Sequence, residues 1–231
     1  MTRLVDAGLV NADWNTGPNK GLVTTSLVAF VVRPGNPKNI KTWDDLLKPG
    51  IDVVTPNPFT SGAAKWNLLA AIGAKDLDFV RELITDHVKV QPKSGREALQ
   101  TFTSGTGDVL LSYENEAITA QKKGQDVDYV IPDQTIKIEN PIAVTSKAPA
   151  AAKSFLTFAL SKPAQEKFAS WGYRPVEQSV LAANKSKFPT PSGLFTIDKF
   201  GGWSKVNDQY FDPEKGSVAK IEEEAGVSTA K

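Results

Sequence analysis

Three short polar segments lie where a strand-like pattern gives way to a helix-like pattern, and they carry the residues best suited to ligand chemistry. The first is Thr60–Ala63, which follows a β-branched run and two prolines and precedes an alanine-rich helical pattern. The first N–H groups of a helix lack intrahelical partners, and the helix dipole adds partial positive charge there. The segment therefore predicts an anion cradle formed by the Ser61 hydroxyl and the N–H groups of Gly62 and Ala63. The alternative is an N-cap that serves only its own helix.

The second segment is Lys93–Glu97. Ser94 followed three residues later by Glu97 is the capping-box pattern, which has a purely structural explanation. The functional interpretation adds an N–H group from Gly95 or Arg96 directed at the same anion. Both interpretations remain open at this point.

The third segment, Leu110–Glu116, ends an apolar strand pattern with an aromatic residue that has a polar tip. Tyr113 could donate its phenol O–H to an anion, and the alternative is an aromatic side chain at the edge of the core. Glu114 and Glu116 could pair for acid–base work. Carboxylates after a strand more often cap the next helix or pair with lysine.

The sequence does not predict an enzyme. Three residues separate Ser61 from Lys65, whereas the S-x-x-K motif of a serine–lysine nucleophile has two, so this pair does not fit the motif. With one histidine, His87, and no cysteine, most Ser–His, thiol and zinc chemistry is unavailable to the chain as given. Gly105–Gly107 lacks the third glycine and the helix start of a dinucleotide fingerprint, so no cofactor is predicted.

Composition narrows the class of partner. The chain has 231 residues, with 27 Lys and Arg against 26 Asp and Glu, for a net charge of +1. This balance argues against nucleic acid or an anionic membrane surface as the main partner. The sequence contains no apolar run of about 18 residues, so it predicts no membrane-spanning helix. Residues 1–10 read as the back half of an amphipathic helix ending near Gly8, without the pattern of a signal peptide.

Strand and helix patterns alternate along the chain, which predicts an α/β fold with a largely parallel sheet. In such sheets ligands bind beyond the carboxyl ends of the strands. Strands are predicted at 22–33, 51–55, 88–90, 109–113, 127–131 and 136–145. Helices are predicted at 43–47, 63–72 with Gly73 as the stop, 76–85, 95–103, 114–122, 150–160, 163–171 and 212–224, whereas 172–202 is predicted to be irregular.

Several motifs in one order resemble the sulfate-binding proteins of bacterial ABC importers. The match covers nearly the whole chain, which makes it far more specific than any single motif. The matching segments are Phe30–Pro37, Trp43–Leu46, Val53–Pro58, Thr60–Asn67, Gly107–Leu110, Tyr113–Ala117, Tyr173–Pro175, Leu194–Asp198 and Gly201–Trp203.

The resemblance implies a type II periplasmic-binding fold, with two lobes and hinge strands, that closes over a sulfate or thiosulfate ion held by neutral donors. Carried over by position, the ligand residues would be Ser61, Gly62, Ala63, Gly95, Arg96 and Tyr113. The family has a second glycine where this chain has Ala63, and a tryptophan where it has Tyr113. Gly95 is the aligned residue of the second segment, and Arg96 is the alternative if the register shifts by one. The implied partners are the membrane subunits of an ABC importer, and the implied location is periplasmic or otherwise extracytoplasmic.

The resemblance also implies that the first lobe is incomplete. Family members carry a leader and a strand–helix–strand–helix region before the equivalent of Met1, and that region supplies two further donors. Each lost donor to a charged ligand costs roughly 1.5–3 kcal/mol, so two losses would weaken binding by about two to four decades. Residues 1–30 are expected to be a remnant of the first lobe with a hinge strand, 31–185 the second lobe, and 186–231 a return to the first lobe.

Two alternatives remain open. A truncated chain could bind anions weakly or not at all and self-associate, for example as a homodimer, through exposed strand edges. The chain could also bind another oxyanion, such as molybdate or phosphate, because the fold alone does not select the ligand.

Overall fold

In the computed structural model, which describes residues 1–230, a strand of 11 residues, β1 (Leu22–Val32), lies inside the sheet. Its second half is a run of apolar side chains that are almost fully buried, from Leu27 to Val32. Such a run is typical of a strand covered on both faces. The predicted central position of this strand is confirmed, since β1 has a neighbour on each side in the sheet.

The predicted elements occur in the predicted order, and the structure adds two strands and two α-helices that were not predicted, at Arg174–Pro175, Gly193–Phe195, Gln178–Ala183 and Gly202–Tyr210. The other strands are β2 (Val53–Val54), β3 (Val88–Val90), β4 (Val109–Tyr113), β5 (Asp128–Val130), β6 (Gln134–Pro141), β7 (Arg174–Pro175) and β8 (Gly193–Phe195). The α-helices are α1 (Thr2–Asp6), α2 (Gly62–Ala74), α3 (Leu77–Glu82), α4 (Gly95–Thr103), α5 (Glu114–Lys122), α6 (Ala150–Ala159), α7 (Lys162–Ser170), α8 (Gln178–Ala183), α9 (Gly202–Tyr210) and α10 (Ser217–Glu224). Short 3-10 turns lie at Trp43–Leu47 and Ile197–Phe200, and a π-helical segment at Leu83–His87 continues α3.

The sheet is mixed, which corrects the prediction of a largely parallel one. Its strand order is β3-β2-β4-β1-β6-β8, with β5 also paired to β1. β2 runs parallel to β3 and to β4, and β6 runs parallel to β8, but β1 is antiparallel to β4 and β5. A strand buried on both faces reads as the same continuous apolar run whichever way its neighbours point, so composition did not reveal the direction of β1.

Contacts divide the chain into two units. The smaller unit contains Met1–Ser26 and Ile138–Pro189, and the larger contains Leu27–Lys137 with the described residues from Thr190 onward. The chain therefore crosses between units inside β1, inside β6 and after Pro189. In the smaller unit the first half of β1 pairs antiparallel with β7, through Thr24 opposite Pro175.

These units have different boundaries from the predicted segments 1–30, 31–185 and 186–231. Residues 138–189 group with the N-terminal segment because β7 pairs with β1 and because the Ile142 N–H donates to the Gly21 carbonyl at 2.8 Å. The residues after Thr190 group with the larger unit because β8 pairs with β6. How the two units correspond to the lobes of the resembled family stays a prediction.

Two local differences between the predicted and the observed elements have clear physical reasons. Gly73 does not end α2, which continues to Ala74; a Cβ at this position would collide with the Phe195 ring, so glycine permits close packing against β8. The segment predicted to be irregular contains α8 and the 3-10 turn at Ile197–Phe200, which are too short to leave a clear periodic signal.

The Arg33 side chain fixes the far end of α4. Its guanidinium donates to the carbonyl oxygens of Phe102 at 2.9 Å and of Thr106 at 3.0 Å, and it lies 4.0 Å from the centre of the Phe102 ring. A cation at a helix C-terminus pairs with the unsatisfied carbonyls and the negative end of the dipole. Because Phe102 is itself completely buried against β1, β2 and β4, α4 is held firmly with its N-terminus at the opposite end.

Within residues 1–230, no helix is both long and apolar enough to cross a membrane.

Candidate functional site

The three polar segments lie at the same edge of the sheet. Each follows one of the mutually parallel strands β2, β3 and β4, and each leads into a helix, namely α2, α4 or α5. Parallel strands bring their carboxyl ends to one edge, and the following helices direct their N-termini towards it. The larger unit therefore gathers three helix N-termini in one place, as the sequence predicted.

The first corner is held by its backbone rather than by the serine side chain. Ser61 occupies the N-cap position of α2, and its N–H donates to the Asn57 carbonyl at 2.9 Å. The Ser61 hydroxyl, however, makes no capping hydrogen bond to the helix. A Cβ on Gly62 would meet no atom within 4 Å, so the space beside the first turn is open.

The Ser94 side chain caps the second corner, which confirms one of the two hydrogen bonds of the predicted capping box. The Ser94 hydroxyl accepts from the Glu97 N–H at 3.2 Å, which satisfies the third N–H group of α4. The N–H groups of Gly95 and Arg96, the first two of the helix, precede this bond. Structural capping and ligand binding are therefore compatible here, because they use different N–H groups.

The first two corners touch. A Cβ built on Gly95 would lie 3.3 Å from the Ala63 Cβ, so the first turns of α2 and α4 are in contact. Their loops are also bonded together: the Asn57 N–H donates to the Pro92 carbonyl at 2.9 Å, and the Thr60 hydroxyl donates to the Lys93 carbonyl at 2.8 Å. These bonds fix the spacing of two helix N-termini before any ligand arrives.

The third corner contributes a phenol. Tyr113 ends β4 at the N-cap position of α5, opposite Val28 of β1. Burial, and after it the negative charge of Glu116, raise the pKa of the Tyr113 phenol well above its ordinary range. The phenol therefore stays protonated through the physiological range and keeps its O–H as a donor.

An open cleft joins these corners. It is lined by Ala63, Ser94, Gly95, Arg96, Glu97, Gln100, Ser112, Tyr113 and Glu116. Four of the six predicted ligand residues are in this lining, and the other two, Ser61 and Gly62, immediately precede Ala63 at the start of α2.

The sequence placed Ser112 and Glu116 in the third polar segment without predicting that their side chains line the cleft, and it gave no indication of Gln100. Gln100 lies five residues into α4 and has no local motif that would identify it. Glu116 follows Tyr113 by three residues, which is the spacing that places two side chains on one side of a helix start. That spacing was a usable signal, whereas Gln100 left none.

Lys65 faces another part of the unit. Its ammonium group donates to the Asn207 side chain at 2.9 Å and lies 4.9 Å from the centre of the Phe211 ring. Asn67, two residues further along α2, donates to the Leu111 carbonyl at 2.8 Å and ties α2 to β4. Both contacts anchor the helix whose N-terminus forms the first corner.

The described residues contain no cluster of three or more His, Cys, Asp or Glu side chains that could hold a metal ion. The donors of the cleft are N–H, O–H and amide groups, which suit an anion.

Comparison with known proteins identifies the class. Residues 1–174 match the family of bacterial extracellular solute-binding proteins. This chain belongs to that family. Its α/β fold with strands that pass between two units is that of the type II periplasmic solute-binding proteins.

Several proteins that this chain resembles have names that state a particular ligand. A sulfate-binding protein of Synechococcus elongatus is 40% identical over 228 residues, which cover 91% of this chain and 65% of the relative. A thiosulfate-binding protein of Escherichia coli K12 is 36% identical over 223 residues, covering 88% of this chain and 66% of the relative. The solved structure of the sulfate-binding protein SubI from Mycobacterium tuberculosis H37Rv matches with a TM-score of 0.85 at 49% identity, covering 91% of this chain and 77% of SubI. The chain thus spans about two thirds of the length of these curated relatives.

Proposed function

We propose that this chain binds sulfate or thiosulfate in the cleft between the starts of α2, α4 and α5, and that it delivers the anion to the membrane subunits of an ABC importer. The observation that carries the proposal is the contact between two helix N-termini: the Ala63 Cβ lies 3.3 Å from the position of a Cβ on Gly95. The names of its sulfate- and thiosulfate-binding relatives support the same ligand class. Membership of an extracellular solute-binding family supports a location outside the cytoplasmic membrane.

Helix N-termini suit a fully ionised dianion. Free N–H groups of the first turns donate to its oxygens, and aligned helix dipoles supply a positive field without a neighbouring cation. The ligand groups we propose are the Ser61 hydroxyl, the N–H groups of Gly62, Ala63, Gly95 and Arg96, and the Tyr113 phenol. All of these are neutral donors, since Arg96 would contribute its backbone.

A site made of donors also selects among oxyanions. Sulfate has acceptors only, so it leaves no proton without a partner. A phosphate that retains a proton needs an acceptor beside that proton, and a donor-only site penalises it. Glu97 and Glu116 are the carboxylates in the cleft lining, so their side chains are the groups that could relax this selectivity.

Isothermal titration of the chain with sulfate, thiosulfate, molybdate and phosphate tests the proposal. We expect sulfate or thiosulfate to bind and the other two to bind more weakly. Replacing Ser61 with alanine should weaken sulfate binding by about tenfold to a hundredfold, because one hydrogen bond to a charged ligand is lost. The matched control is Ser104→Ala, which changes an exposed serine just after α4 and should leave the affinity unchanged.

Absence of heat for all four anions at millimolar concentration, in protein that melts cooperatively, would overturn the proposal. Equal affinity for phosphate and sulfate would retain the cleft but reject the ligand class.

A further inference from the structure

The C-terminal segment Ser217–Ser228, which comprises α10 and the four residues after it, contacts both loops that form the first two corners of the cleft. The Gln91 side-chain amide donates to Glu222 Oε2 at 2.8 Å. The Asn57 side-chain amide donates to the Ser228 carbonyl at 3.0 Å. One short segment near the end of the chain is therefore bonded to two loops that lie far from it in sequence.

From these contacts, hydrogen bonds continue to the helix starts. Gln91 directly precedes Pro92, whose carbonyl accepts from the Asn57 N–H at 2.9 Å. The Asn57 carbonyl in turn accepts from the Ser61 N–H at 2.9 Å, immediately before the first turn of α2. A shift of Gln91 would consequently be felt at the N-termini of both α2 and α4.

The Gln91 and Glu222 side chains share one hydrogen bond, and each has one side-chain oxygen atom that lacks a partner in the part of the chain that the structure describes. Glu222 is fully buried, and its Oε1 has no hydrogen-bond partner among the described residues. The Oε1 of Gln91 is buried and unpartnered in the same way. A carboxylate offers acceptors only, whereas a protonated carboxyl also offers a donor, which is the kind of group that Gln91 Oε1 lacks.

Burial raises the pKa of the Glu222 carboxyl to about 7, and the hydrogen bond from Gln91 opposes this only in part. The carboxyl thus changes its protonation state near neutral pH. α10 packs against the π-helical segment and α9. The charged or titratable groups on those elements and on the neighbouring α3 and β3 are Asp78, Arg81, Glu82, Asp86, His87, Lys89, Lys205, Asp208 and Tyr210.

Three of these groups have contacts of their own. Arg81 forms an ion pair with Glu224 of α10, Lys89 lies 3.9 Å from Asp52, and His87 Nδ1 lies 3.3 Å from the Ile51 carbonyl. Lys205 and Asp208 are exposed on α9. Glu222 is therefore the buried member of this group of charges, and its direct polar contact is with Gln91.

We propose that Glu222 is a positioning residue for the anion site, which acts through Gln91 on the loop before α4. In its protonated form Glu222 completes the pair with Gln91 and holds both helix N-termini at their binding distance. Ionisation removes the hydrogen bond from the carboxyl O–H to Gln91 Oε1 and leaves only the bond from the Gln91 amide. The loop is then held less tightly, and anion binding weakens. The inference rests on the proposed function, and it adds control of that site by pH.

Sulfate titrations at pH 6 and pH 8 test this inference in the full chain, because sulfate itself is fully ionised at both values. We expect the wild type to bind at least about fivefold more weakly at pH 8 than at pH 6, a coupling of the size usual between two sites. Glu222→Gln, which stays neutral and carries both a donor and an acceptor, should keep its pH 6 affinity at pH 8. The matched control is Glu224→Gln on the same helix, which should show the same loss as the wild type. A loss of equal size in Glu222→Gln and wild type, or no loss in either, would overturn the inference.

A second measurement separates this inference from the proposed function. In protein without sulfate, the backbone amide signals of Gly62 and Gly95 in ¹H–¹⁵N spectra should titrate near pH 7 in the wild type and in Glu224→Gln, but not in Glu222→Gln. If no variant binds sulfate yet these signals behave as expected, the proposed ligand is wrong and the coupling stands. If the signals titrate equally in all three proteins, the coupling is wrong whatever the ligand.

Discussion

Tyr113 shows how one side chain can provide a neutral donor for an anion at any physiological pH. Its ring ends a buried strand, and burial together with the Glu116 charge raises the pKa of the phenol above its ordinary range. The sign of that shift matters, because a phenolate would offer only acceptors to a sulfate ion. The tryptophan expected here from the resemblance is also a neutral donor, so the exchange preserves the chemistry while changing the reach.

Replacing Tyr113 with phenylalanine should weaken sulfate binding by about tenfold or more, since the ring remains but the hydrogen bond to a charged ligand is lost. The loss should be equal at pH 6 and pH 9, because the phenol stays protonated over this range. Titration calorimetry at both pH values provides the measurement. Tyr210→Phe, which changes a tyrosine outside the cleft lining, is the control; an unchanged affinity in Tyr113→Phe would remove the phenol from the ligand set.

We expect Glu116 to weaken sulfate binding, whereas Tyr113 is expected to strengthen it. Its carboxylate belongs to the cleft lining, where it adds negative charge beside the proposed position of a dianion. Replacing it with glutamine should strengthen sulfate binding by about two- to tenfold at low ionic strength, and the gain should shrink as salt is added. The comparison is with Asp126→Asn, an exposed carboxylate in the loop before β5. Weaker binding in Glu116→Gln would instead indicate that the carboxylate holds a donor of the cleft in place, and that this effect outweighs its repulsion of the anion.

At the scale of elements, the spacing of α2 and α4 is the property on which the proposed site depends. A methyl group added at Gly95 would lie 3.3 Å from the Ala63 Cβ, closer than comfortable van der Waals contact. We expect Gly95→Ala to push the two helix starts apart and to weaken sulfate binding by about fivefold, near 1 kcal/mol.

The double variant Ala63→Gly with Gly95→Ala should recover most of that affinity, because the opposing methyl group is removed. Ala63→Gly alone should bind about as well as the wild type, since the N–H group is retained. A complete double-mutant cycle measured by titration calorimetry gives the coupling between the two positions. Additive effects would show that the contact between the helix starts does not set the affinity.

Elements also show what the sequence could and could not predict. The bounds of β4 and α5 were predicted as observed, because an apolar run ends in Tyr113 and a helix-forming stretch follows at once. The direction of β1 was missed, since burial on both faces gives the same pattern for either direction. Gly73 was read as a helix stop because its true role, contact with Phe195, depends on a residue more than a hundred positions away.

The same limit applies to the candidate site. Ser61, Gly62 and Gly95 could be found because helix starts have local signatures. The pair of Gln91 and Glu222 could not, because 131 positions separate the two residues and each is unremarkable in its own segment. The pattern thus identifies the groups that could touch a ligand, whereas the contacts that hold those groups in place appear only in the folded chain.

At the scale of the whole molecule, three passages of the chain between two units explain why these units differ from the predicted segments. A division by sequence assumes that long continuous segments stay together, but β1 and β6 are each shared between the units. The larger unit contains the whole cleft, and its last helix, α10, comes from the end of the chain. The stability of that helix is therefore a property of the same unit that carries the proposed site.

Buried Glu222 should make the stability of this unit depend on pH. Its pKa rises from 4.5 to about 7 on folding, so the native state binds a proton that the unfolded state has released between those values. The contribution of Glu222 to the free energy of unfolding is fully present below pH 4.5 and is lost as pH rises through 7, a change of about 3 kcal/mol. Because other groups titrate as well, the informative quantity is the difference between the wild type and Glu222→Gln.

Urea unfolding of both proteins at pH 5 and pH 8 provides that difference. The wild type should lose about 3 kcal/mol more than Glu222→Gln between the two pH values, with unchanged slopes in urea. Glu224→Gln again serves as the control, because its exposed ion pair with Arg81 contributes little to stability at either pH. If all three proteins lose the same free energy, Glu222 is not protonated in the native state at pH 5, and the pairing with Gln91 must then rest on a buried carboxylate. A loss in the wild type and in Glu224→Gln but not in Glu222→Gln would show that the proton which completes the Gln91 pair also stabilises the fold.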